Sequence, residues 1–164
     1  MIRRLFLAAA AIAGLAAGVA AQDMSGVPAA AAFIEVIPSE GGAPVQLAAA
    51  QVVRVAQVEN YTVIDTTAWV QQRTIEPVES VARRVMAAGQ RLVALTDLRG
   101  ARIYLAADRV VLVRDAQERY ATGARAAIVM VGLRLTTDIA VRETVEEVMA
   151  ALRHAAQGVP GSGG

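Results

Sequence analysis

Leu92–Val113 reads LVALTDLRGARIYLAADRVVLV, and a fainter version stands earlier as Phe33–Val55, FIEVIPSEGGAPVQLAAAQVVRV. Allowing one extra residue, Gly42, in the earlier stretch, Gly41 aligns with Gly100, Ala43 with Ala101 and Leu47 with Leu105. Ala48, Ala49, Val52, Val53 and Val55 then fall on Ala106, Ala107, Val110, Val111 and Val113. The two stretches also close alike, Glu76-Pro-Val-Glu-Ser-Val81 against Glu143-Thr-Val-Glu-Glu-Val148. Self-similarity over such a span points to an internal duplication, and it governs how the remaining residues are read.

Each copy breaks into short extended runs and one helix. In the first, Phe33–Ile37 is apolar-rich and closed by Pro38, and Ser39–Gly42 supplies a turn with two glycines. Pro44–Leu47 resumes an extended run. Gln51–Val58 is rich in β-branched residues, Glu59-Asn60 forms a tight hairpin with Asn60 in the left-handed region, and Tyr61–Asp65 and Ala68–Ile75 follow as strands. Pro77–Ala88 is then a helix, with proline in its first turn and Gly89 behind it. Val78, Val81 and Val85 make its apolar stripe.

The second copy repeats the plan. Arg91–Thr96, Arg102–Ala106, Val110–Arg114, Ala126–Val131 and a bent Leu133–Val141 are the strands, and Thr144-Val-Glu-Glu147 is a capping box opening the second helix. Short connections favour antiparallel pairing. The expected fold is α+β: two tandem repeats, each of about four to five short antiparallel strands followed by one helix packed on the sheet. The expected division is a signal peptide over 1–21, a flexible lead-in over 22–32, repeat units over 33–89 and 90–155, and a flexible tail over 156–164.

Composition narrows the function classes. The chain has 164 residues, and alanine supplies much of its apolar content, so the core rests on Val, Ile and Leu. Each unit alone would bury too little surface to be robust, which predicts that the two pack together. All 16 basic residues are arginine, and the formal net charge is +1. That balance carries no nucleic-acid footprint. With no cysteine there is no disulfide, thiol nucleophile or cysteine metal site. Arg3-Arg4, the apolar run Leu5–Val19 and the small residues before Gln22 have the layout of a secretory signal peptide. The run is short of the ~20 residues that a spanning helix needs. A periplasmic or secreted protein without stable membrane insertion after cleavage follows as the expectation. Arg-Arg-Leu-Phe-Leu also resembles a twin-arginine export signal, though plain Sec export is the simpler reading.

The second copy resembles the FlbD-like family of flagellar and swarming-motility proteins. The residues that carry the resemblance are Leu95-Thr-Asp-Leu-Arg-Gly100, Tyr104-Leu105, Val110–Val113 and Val141-Arg-Glu-Thr-Val-Glu-Glu-Val148. The family's asparagine after leucine is Ala106 here, and its serine after glutamate is Thr144. The first copy keeps Gly41, Leu47, Glu76, Val78, Glu79 and Val81. The resemblance implies two tandem FlbD-like units.

A search for chemistry leaves little. The single histidine, His154, stands near a helix end, where a cationic side chain is at home. No serine sits on a glycine-flanked elbow, and Gly41-Gly42 lacks the lysine and helix start of a phosphate loop. Glu143, Glu146 and Glu147 suit a helix start. Asp97, Asp108, Asp65 and Asp138 read as turn formers. No catalytic, metal or cofactor residue is assigned. The candidate contact residues are Arg119 and Tyr120 in the Asp115–Gly123 loop, with Trp69. The expected function is a non-enzymatic binding or scaffold protein of the bacterial cell envelope, meeting a protein partner or a second copy through sheet edges. The alternatives are a small periplasmic enzyme using carboxylates, or a motility or envelope accessory.

Overall fold

The computed structural model describes residues 32–134 and 138–157. The expected signal peptide and nearly all of the lead-in and tail lie outside them. The fold is α+β, with antiparallel sheets and two α-helices. The order is β1 (Phe33–Val36), β2 (Val45–Ala48), β3 (Val52–Val58), β4 (Tyr61–Thr66), β5 (Gln71–Thr74) and α1 (Val78–Ala87). Then come β6 (Leu92–Thr96), β7 (Arg102–Ala106), β8 (Val110–Asp115), β9 (Ala126–Met130), β10 (Asp138–Val141) and α2 (Val145–Gln157).

Three sheets form among the described residues: β1–β2, β10–β9–β8, and a five-stranded sheet in the order β5–β4–β3–β7–β6. The last joins the two halves of the chain. β3 pairs with β7, with Arg54 opposite Leu105, Val55 opposite Tyr104 and Ala56 opposite Ile103.

Local chemistry explains the elements. A 3-10 turn over Ala49–Gln51 links β2 to β3, and another over Ala107–Arg109 links β7 to β8. Segments of three residues are too short to nucleate an α-helix. α1 buries Val78, Val81, Ala82 and Val85 on one face, each valine contributing about 1.5–3 kcal/mol if fully withdrawn from water. α2 opens with the expected reciprocal cap: Glu147 N–H donates to Thr144 Oγ1 at 3.2 Å, and Thr144 N–H to Glu147 Oε2 at 2.7 Å. The first of these satisfies an amide that the helix leaves orphaned, and the second ties down the residue before it. Before each helix a glutamate ties back to the first hairpin of its half: Glu76 accepts from Ile37 N–H and Glu143 from Thr96 N–H.

Two buried clusters share the structure, and each borrows from the other half. Ile34, Val36, Val52, Val55, Ile64 and the α1 stripe form one with Leu92 and Ala106. Val93, Leu95, Ile103, Leu105, Ile128, Met130 and Val148 form the other with Val53 and Ala56. A register shift between Val52 and Arg54 turns Val53 to the opposite face, so β3 is covered on both sides. The same shift recurs in β8 between Val110 and Leu112.

Some local expectations are corrected. The left-handed residue of the β3–β4 turn is Glu59, φ 53°, and not Asn60. The strand expected from Ala68 starts at Gln71, because Thr66–Val70 closes as a turn in which Trp69 takes φ 61°. Of the strand expected over Leu133–Val141, Asp138–Val141 is strand and Leu133 and Arg134 are not, while 135–137 lie outside the described residues.

Candidate functional site

The loop after β8 is fastened by one carboxylate. Asp138 Oδ2 accepts from Arg114 Nη2 at 2.5 Å, Arg119 Nη2 at 2.6 Å and the Tyr120 hydroxyl at 2.5 Å. The Arg119 guanidinium also lies 5.0 Å from the centre of the Tyr120 ring. The hydrogen bonds from Arg114 to Tyr120 and Asp138 hold its guanidinium protonated above the usual arginine value, against a smaller opposing effect of burial. Arg119 and Tyr120, expected as contact residues, are thus brought together as a staple between the loop and β10. Trp69 stands apart from them in the β4–β5 turn, 62% exposed.

Asp65 and Asp138, read in the sequence as turn formers, are strand residues in ion pairs. Asp65 is buried in β4 and accepts from Arg54 Nε at 2.6 Å and Gln71 Nε2 at 2.6 Å. Strand pairing brings these partners together from distant positions, so sequence spacing gave no sign of them. Asp97 does shape a turn, its Oδ1 accepting from Arg99 N–H and Ala101 N–H. Asp97 and Asp138 line one cavity of about 290 Å³ together with Arg54, Arg99 and Ile139. Both carboxylates there are engaged by arginine, Asp97 by Arg99 and Asp138 by Arg114 and Arg119.

Glu76 is held by Arg84, Ile37 N–H and Thr74. Burial opposes its ionisation, but the hydrogen bonds from Arg84 and Ile37 and the arginine charge outweigh it and lower its pKa. The Thr144 amide, chiefly, lowers that of Glu147. His154 is exposed on the last turn of α2.

The larger opening is mainly apolar, though Arg91 and Asp108 also line it. A groove of about 480 Å³ runs between α2 and β8, lined by Val110, Leu112, Val113, Met149, Leu152 and Ala156 among others. Val111 is 58% and Leu112 43% exposed on the outer strand of its sheet. Among the described residues no strand pairs with the outer edge of β8 or of β2. Four apolar residues in a row stand at this unpaired edge, between Asp108-Arg109 on one side and Arg114-Asp115 on the other. Sequence reading missed this groove, because the Val110–Val113 run differs from the covered Val52–Val55 run of β3 only in Leu112 for Arg54, and nothing local says which of the two a further strand covers.

Among the described residues no helix is long and apolar enough to cross a membrane. Family models, curated proteins and solved structures give no match to the chain.

Proposed function

We propose that the protein is a non-enzymatic binding or scaffolding module of the bacterial cell envelope. It is exported behind residues 1–21 and built from two FlbD-like units in tandem. Supporting the tandem reading, both halves run strand, strand, 3-10 turn, three strands, helix. The turn-flanking residues Ala48 and Ala106 also share φ and ψ within a degree, −66° and 116° against −67° and 116°. The glutamates before the helices play matching parts, as do the register shifts in β3 and β8.

The single observation that carries the binding reading is the open edge of β8 beside the α2 groove. Its counterpart in the first half, β3, is paired along that edge by β7. Edge addition of a partner strand gives backbone hydrogen bonds, and the groove gives side-chain selectivity. The rival reading, an enzyme using carboxylates, has its place in the cavity lined by Asp97 and Asp138.

A photo-cross-linking residue at Leu112, in cells carrying the full chain, is expected to trap a protein, whereas one at the exposed Glu79 is not. No adduct at Leu112, together with turnover in a substrate screen that Asp97→Asn or Asp138→Asn abolishes, would replace this reading with the enzymatic one.

A further inference from the structure

The junction inside the molecule is a template for a junction between molecules. Matched through the alignment and the strand registers, β8 corresponds to β3, and β2 to β7. β3 and β7 pair with each other, while β8 and β2 each keep an unpaired edge among the described residues. The side chains follow the same division. Leu92, Ala106 and Tyr104 lie on the face of the β6–β7 hairpin that packs against α1, Val52 and Val55. Their counterparts on the β1–β2 hairpin are Phe33, Ala48 and Gln46. Phe33 is 59% exposed, where Leu92 is only 7% exposed. The counterpart of the space that Leu92 fills is the open groove between α2 and β8.

We propose that the occupant of that groove is a second copy of this chain. β2 of one molecule adds antiparallel to β8 of the next, with Leu47 opposite Leu112, Gln46 opposite Val113 and Val45 opposite Arg114. This is the register of Leu105, Tyr104 and Ile103 on β3. Phe33 enters the groove beside Val110, Met149 and Leu152. Arg114 does not obstruct the pairing, since its guanidinium turns back to Asp138. The contact joins two different surfaces, so it is head-to-tail. Such contacts build a closed ring when the rotation between copies closes and a filament when it does not. This inference rests on the binding reading above and names its partner.

The test is sedimentation of the purified protein, in the form the cell accumulates, over a range of concentrations. The wild type is expected to gain mass as concentration rises. Phe33→Arg and Leu112→Arg, both at exposed positions, are expected to keep the wild-type circular dichroism and melting and to remain monomeric alone. Mixed, they are expected to form a 1:1 dimer and nothing larger, since each supplies the surface the other has lost. A wild type that stays monomeric throughout, or a mixture that stays monomeric, would overturn self-pairing. If a cross-linker at Leu112 nevertheless traps a different protein, and Phe33→Arg does not change that, self-pairing fails and the binding reading stands. An empty cross-link fails both.

Discussion

At Gly132 the backbone takes φ +90°, and a Cβ there would lie 2.8 Å from Val53 Cγ2 and 3.4 Å from Thr67 Cα. Alanine would meet both a left-handed backbone and a packed neighbour. Gly132→Ala is therefore expected to cost about 2–4 kcal/mol, combining backbone strain with overpacking. Denaturant unfolding measures it. In a Val53→Ala background the additional cost should shrink, because the clashing methyl is gone. A second residue-scale prediction concerns acid. Glu76 and Glu147 ionise more readily in the folded chain, so the unfolded chain binds more protons in the acid range, and stability rises with pH there. Their contribution is complete above about pH 5 and is lost as pH falls through the lowered folded-state values. A pH series of melting temperatures should decline more gently on the acid side for Glu76→Gln than for the wild type; identical slopes would contradict the assignment.

The helices were legible because their signals are local. The valine stripe of α1 and the capping box of α2 follow from spacing alone, and Val78, Val81 and Val85 are buried as the periodicity required. Strand ends were less legible. Trp69 has a strand-forming side chain, yet the Thr66–Val70 turn places it at positive φ, with Trp69 N–H donating to Thr66 C=O. The Asp138 staple was invisible for another reason. Arg114, Arg119 and Asp138 are separated by up to 24 residues and meet only once β8, β9 and β10 have paired. Asp138→Asn removes the charge that gathers two arginines, both of them open to solvent that weakens each pair taken singly. The loop should then open severalfold more often, seen as faster tryptic cleavage after Arg119. An unchanged cleavage rate would show that the loop is held by other contacts.

Across the whole molecule, the buried residues form two clusters that each contain residues from both halves of the chain. Val53 and Ala56 complete the second cluster, and Leu92 and Ala106 complete the first. Neither half keeps its core if the β3–β7 junction opens, so unfolding is expected as one cooperative transition with coincident probes. Two resolved transitions would mean that the halves fold independently. What the sequence could not disclose is which of two near-identical valine strands is covered, since that depends on a strand from elsewhere in the chain, or from another chain. The most direct measurement is amide hydrogen exchange, residue by residue, in dilute and concentrated solution. The account predicts slow exchange in β3 at both concentrations; in β8 the amides bonded to β9 exchange slowly at both, and those on the outer edge slowly only when the protein is concentrated. Equal exchange of the outer-edge amides of β8 at both concentrations would contradict it.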